Sequence, residues 1–107
     1  MKRYLTLLAA LALTQSPMQA KANEMIAAGQ EILQSNCAQC HEVTSKGKSP
    51  HRQAVEFRYL SRSYPVSQLA EALAEGIMSG HPDMPMFEFD SQQVEQIIAY
   101  LESIQQK

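Results

Sequence analysis

The sequence predicts an all-α domain. Three stretches repeat apolar residues at steps of three and four, the period of an amphipathic helix. No stretch alternates apolar and polar residues as a strand would. At 107 residues, the chain has room for one domain and not two.

The elements read as follows, from the N-terminus. Met1-Lys2-Arg3 is a short basic start, and Tyr4 to Leu13 is an apolar stretch of about ten residues, the length of a signal-peptide core and too short to span a membrane. Ala20-Lys21-Ala22 has the small-x-small pattern of a cleavage site. The expected division is therefore a cleaved leader over 1–22 and one domain over 23–107. Removing Lys2, Arg3 and Lys21 leaves six basic residues against eleven acidic ones, a net charge of −5 where the full chain has −2. A domain of that size is marginal without a disulfide, a metal or a cofactor to help it fold.

The first predicted helix begins at about Asn23, a suitable N-cap. Its apolar face carries Met25, Ile26, Gly29, Ile32, Leu33, Asn36, Cys37 and Cys40. Glycine inside a helix costs about 0.5–1 kcal/mol relative to alanine, so Gly29 on the apolar face points to close approach by another helix. A polar linker, Glu42 to Tyr64, follows; it holds five of the six basic residues, Lys46, Lys48, Arg52, Arg58 and Arg62. A structureless loop of that length inside a compact domain is usually functional or wrapped around something.

The second helix is predicted over Pro65–Ile77, with Gly80 and Pro82 ending it. A short loop rich in Met, Pro and Phe then runs from Ser79 to Phe89. The third helix is predicted over Ser91–Gln105, with Val94, Ile97, Ile98, Leu101 and Ile104 as its apolar stripe. Asp90 is its expected N-cap, and Gln93 has the spacing to close a capping box.

The chemistry lies in Cys37-Ala38-Gln39-Cys40-His41. This is C-x-x-C-H, the attachment signature of c-type haem. On helical backbone the first and fourth residues share one side and the fifth adjoins them. Two thiols on one edge can add to the two vinyl groups of a haem, and the neighbouring imidazole reaches the iron. A thiol redox pair would need a βαβ context, which is missing. A zinc site would need a distant fourth ligand such as His81, and a Cys37–Cys40 disulfide is the third competing reading.

Haem iron in electron carriers is often held by His and Met. The loop from Gly80 to Phe87 offers Met84, Met86 and His81 for the sixth position. Pro82 stands two residues before Met84 and Pro85 directly after it, so Met84 is presented on stiff backbone. Met84 is therefore preferred over Met86, and His81 would give a bis-His site. Met25 and Met78 lie near helical stripes and read as packing residues. Arg52, Arg58, Tyr59 and Tyr64 are candidate partners for haem propionates.

The order of these parts resembles the small bacterial periplasmic class I c-type cytochromes over essentially all of Asn23 to Gln106. The parts are a helix with Gly29, the C-x-x-C-H motif, a Pro-bearing loop, a helix, Met84-Pro85, and a last helix with Tyr100-Leu101. The resemblance implies a cytochrome c fold, three main helices and long loops wrapped around one covalently bound haem. It implies that Gly29 packs against Tyr100 where the terminal helices cross. It also implies that Pro50 offers its carbonyl to the His41 ring, although Ser49 stands where the family usually has Gly.

The expected function is a periplasmic monohaem carrier of one electron, with a His41/Met84 iron, and not an enzyme, because both axial positions are filled. A haem subunit dedicated to a dehydrogenase or oxidase complex, and a haem sensor with a labile sixth ligand, are the alternatives. Redox proteins are the expected partners, with the carrier soluble and monomeric; the acidic balance argues against nucleic acid. From Glu71 onward seven acids stand against one base, Lys107, so the chain is electrically lopsided.

Overall fold

The computed structural model describes residue 3, residues 6–77 and residues 82–107. Met78 and His81 therefore lie outside the described residues. Among the described residues three α-helices appear in order: α1 (Pro17–Asn36), α2 (Leu69–Glu75) and α3 (Ser91–Ile104), with 3₁₀ segments at Phe57–Arg62 and Val66–Gln68. No strand occurs among the described residues. The all-α architecture is the one expected.

Helix α1 starts six residues earlier than the pattern of apolar residues suggested. Ser16 is its N-cap, its hydroxyl accepting from the Gln19 amide, and Pro17 takes the first helical position. Serine followed by proline is a good helix start by itself. Asn23 instead sits inside the helix, where its side chain accepts from the Gln19 amide side chain at 3.0 Å. Every described residue before Ala22 is exposed, and Leu7, Leu8, Leu11 and Leu13 contribute nothing to the core. Along α1 the first residue that is not exposed is Ala22, followed by Met25 and Ile26.

Helix α1 packs chiefly on α3. Gly29 is buried at the contact. A methyl group there would lie 2.6 Å from the Gln96 carbonyl carbon and 2.9 Å from Tyr100 Cβ, and closer still to the Gln96 oxygen. The absent side chain of Gly29 thus lets the two backbones meet, and Tyr100 stands where the resemblance placed it. Helix α3 has the expected capping box: the Asp90 carboxylate accepts from the Gln93 amide, and the Gln93 side chain accepts from the Asp90 amide. Val94, Ile97, Tyr100 and Leu101 form its buried face.

Two expectations about the connections need correcting. The second helix is shorter than Pro65–Ile77, opening as a 3₁₀ turn and ending at Glu75. Gly76, with φ of 114°, is its stop, because a left-handed backbone excludes continuation and suits glycine alone. The linker after the motif is not structureless either. Val43, Phe57 and Leu60 are buried in the core with Leu33, Leu73 and Phe89. These apolar residues stand singly among polar ones, so they leave no periodic trace.

Glu42 organises the start of that linker. Its carboxylate accepts from the Thr44 amide at 3.0 Å and from the Thr44 hydroxyl at 2.6 Å, while its amide donates to the Ser49 hydroxyl. The Phe57 amide returns to the Glu42 carbonyl at 3.0 Å. At the far end, the Gln105 side chain donates to the Phe57 carbonyl and accepts from the Ser61 amide, both at 2.8 Å. The long loop is thereby closed at both ends onto the helical framework.

Candidate functional site

The motif sits where α1 unwinds. The Cys37 amide donates to the Leu33 carbonyl at 2.8 Å, and the Asn36 side chain donates to the Ile32 carbonyl. The Cys37–Cys40 stretch forms a turn and not further α-helix. The His41 amide still donates to the Cys37 carbonyl at 2.9 Å, which keeps the four-residue repeat through the motif. Both thiols are free and partly buried. Burial, reinforced by the neighbouring Cys40, pushes the Cys37 thiol up to about 11, so it is held as S–H at neutral pH.

The His41 ring is fixed from two sides. Its Nδ1 lies 2.7 Å from the Val55 carbonyl. A carbonyl only accepts, so Nδ1 carries the hydrogen, and the neutral ring has its lone pair on Nε2, the arrangement a metal-ligating imidazole needs. The Phe57 ring packs against it with centroids 4.6 Å apart.

The carbonyl that orients His41 belongs to Val55 and not to Pro50. The His51 amide donates to the Cys40 carbonyl at 3.1 Å, which pins residues 50–51 over the end of the motif. The chain then needs a turn, with the Ala54 amide donating to the His51 carbonyl, before Val55 comes alongside the ring. Pro50 is exposed. A backbone acceptor can be any residue, so Val55 carried no signal in the sequence. Phe57 did carry one, as the single phenylalanine of a polar linker.

Across the fold, the methionine loop is closed at its base. The Ile77 amide donates to the Phe87 carbonyl at 3.1 Å and the Phe89 amide to the Leu73 carbonyl at 2.9 Å. Phe87 and Phe89 stack with centroids 6.2 Å apart. Within the loop Met84 is partly buried and Met86 is 66 % exposed, its thioether lying against Gly76. Among the described residues no three His, Cys, Asp or Glu side chains are grouped to hold a metal ion by themselves.

Arg58 follows Phe57 and is buried, yet its Nη1 has no hydrogen-bond partner among the described residues. Its guanidinium and that of Arg62 both lie over the Tyr59 ring, at 4.4 and 3.9 Å from the centroid. Arg52 and Tyr64 are exposed.

The family model described as Cytochrome c matches residues 26–105 of this chain. The chain belongs to the cytochrome c family. No curated protein and no solved structure gives a significant match. Cytochromes c bind haem c covalently through a C-x-x-C-H motif, and this one presents the motif with both cysteines at residues 37–41. The family's role is haem-based electron transfer with redox partners, and its members are generally carriers, not enzymes.

The residues present in this cytochrome c fit the group. Two free thiols lie one turn apart, and an imidazole with Nε2 as its lone-pair nitrogen follows directly. A buried guanidinium nitrogen without a partner is what a haem carboxylate would complement, by a charge-assisted bond. No described helix is long and apolar enough to cross a membrane.

Proposed function

We propose that this cytochrome c is a periplasmic monohaem carrier that passes one electron at a time between redox partners, its iron held by His41 and Met84. The observation that carries the reading is the His41 ring, aligned by the Val55 carbonyl at 2.7 Å directly after two free thiols. When bound, the haem supplies the one-electron iron couple. The chain's own residues do the rest. Cys37 and Cys40 fix the ring through two thioethers. Val55 and Phe57 hold the His41 imidazole in one tautomer and one orientation. Arg58 offers its Nη1 to a propionate.

Met84 is the sixth ligand in this reading. Pro85 restricts it to extended backbone, and the loop base is closed by Ile77 and Phe87. A thioether ligand raises the potential, and a filled sixth position keeps substrates off the iron. Export is supported by the basic start, the apolar stretch and the Ala20-Lys21-Ala22 pattern, together with the exposure of every described residue before Ala22. Cleavage after Ala22 removes the Ser16 cap and leaves Asn23, a good capping residue, at the start of a shortened α1. The mature carrier is then a monomer of net charge −5, steered to its partners by an acidic C-terminal half and a basic linker.

The test is an optical spectrum of protein produced with haem-attachment machinery. A Met-to-iron charge-transfer band that is lost in Met84→Ala and kept in Met86→Ala is the expected result. The reverse pattern overturns the assignment of Met84. Ready binding of carbon monoxide by the reduced wild type would favour a sensor, and stable co-purification with an oxidase or dehydrogenase would favour a dedicated subunit. Intact mass of the secreted protein should place Asn23 first.

A further inference from the structure

The two loops that flank the site are joined by a side-chain contact that the electron-carrier role does not by itself require. His51 Nε2 lies 3.3 Å from Asp83 Oδ2, across 32 positions of sequence. His51 belongs to the loop that follows the attachment motif. Asp83 belongs to the methionine loop and directly precedes Met84.

We propose that His51 is a positioning residue, which tethers the Met84 loop to the haem-attachment turn and so keeps Met84 on the iron. The inference rests on the reading of Met84 as sixth ligand. Three further contacts make His51 a fixed post. Its amide donates to the Cys40 carbonyl at 3.1 Å, so its backbone is tied to the motif itself. Its carbonyl accepts from the Ala54 amide, which closes the local turn. Its ring Nδ1 accepts from the Gln53 amide at 3.1 Å. With Nδ1 accepting, the hydrogen of the neutral ring is on Nε2, which therefore donates to Asp83.

The other end of the tether has little slack. Asp83 stands between Pro82 and Met84, and Met84 precedes Pro85. Each proline fixes its own φ and narrows the conformations of the residue before it. A restraint on the Asp83 carboxylate is therefore passed to Met84 through a short, stiff segment. The base of the loop is held separately, by the Ile77–Phe87 backbone bond. The bond at Asp83 adds an anchor next to the ligand.

The tether can act only by differential stability. It exists when Met84 is seated and is lost when the loop swings away, so removing it raises the detached population by the factor it contributed. His51 and Asp83 side chains are 30 % and 68 % exposed. An exposed contact of this kind corresponds to about a two- to five-fold change in such an equilibrium. Electron transfer persists without the tether, but foreign ligands gain access to the iron.

The experiment uses oxidised holoprotein and imidazole as the competing ligand, read by the loss of the Met-to-iron band. Wild type, His51→Ala, Asp83→Ala and the double variant are titrated. Each single variant is expected to bind imidazole about two- to five-fold more tightly than wild type. The double variant should fall short of the two single effects combined, because they share one bond. His51→Gln, which retains a donor at that reach, should recover part of the wild-type affinity. Unchanged imidazole affinity in both single variants, or additive effects in the double, overturns the tether. Absence of the band from wild type, or its survival in Met84→Ala, overturns the ligand reading instead.

Discussion

Replacing Gly29 with alanine sets two effects of opposite sign against each other. On an exposed helix surface the change stabilises by about 1 kcal/mol, because alanine is the better helix former. Here the new methyl group would lie 2.6 Å from the Gln96 carbonyl carbon, and ordinary contact begins at 3.4 Å. Helix α3 must therefore withdraw by about 0.8 Å, more where the Gln96 oxygen is met. The obstacle is backbone on one side and Tyr100 Cβ on the other, so no flexible side-chain end can swing clear. Inserting one carbon into a tight core costs about 1–3 kcal/mol, and a backbone collision belongs at the upper end. The net expectation is a loss of about 2 kcal/mol. In a domain of this size each kcal/mol moves the melting point by about 4–8 °C, so Tm of the haem-loaded protein should fall by roughly 8–16 °C. Thermal unfolding followed by far-UV circular dichroism reads this directly. A variant as stable as wild type, or more so, would refute the close contact of α1 with α3.

Three other perturbations have determined signs. Tyr100→Phe removes the hydroxyl that donates to the buried Val43 carbonyl at 2.6 Å and should cost about 1–3 kcal/mol in urea unfolding. Burial, and then the charge of Glu42, raise the Tyr100 hydroxyl above its ordinary 10.0; the folded state resists ionisation, so its stability holds below that value and falls as pH rises through the raised one. Tyr100→Phe should lack this part of the alkaline loss. Hydrogen bonds from Thr44, first from its hydroxyl and then from its amide, hold the Glu42 carboxyl below its ordinary 4.5. Its contribution is present above 4.5 and disappears as pH falls through the lowered value, so Glu42→Gln should lower the urea midpoint at neutral pH and converge with wild type in acid. Gly76→Ala forces a side chain into φ of 114° and against the Met86 thioether at 3.2 Å. It should cost about 1–2 kcal/mol by thermal melting.

Much of the fold was legible because it rests on repeated pattern. The apolar stripe of α3 and its Asp90/Gln93 cap are local signals, and they describe the helix to within a residue. Gly29 announced a close contact, and the C-x-x-C-H motif announced the site. What could not be read depends on contacts distant in sequence. Val55 acts through a backbone carbonyl, which no residue type marks. Val43, Phe57 and Leu60 fill the core singly from a polar loop, where no period exists to detect. Gly76 was available as a stop signal, but Gly80 and Pro82 lay just beyond and drew the boundary outward. Ser16-Pro17 is a valid helix start whose consequences belong to the full-length chain, because the expected cut at Ala22 would remove it.

In the proposed carrier, Cys37 and Cys40 bind one haem covalently and His41 presents its imidazole to the iron. The most direct measurement is the intact mass of the holoprotein after acid–acetone extraction, compared among wild type, Cys37→Ser, Cys40→Ser and the double variant. Wild type should retain the mass of one haem through extraction, each single variant should be held by one thioether or be poorly loaded, and the double variant should lose its haem completely. Wild-type protein that releases its haem into the acid solvent, or a double variant that keeps it, would rule out attachment through Cys37 and Cys40.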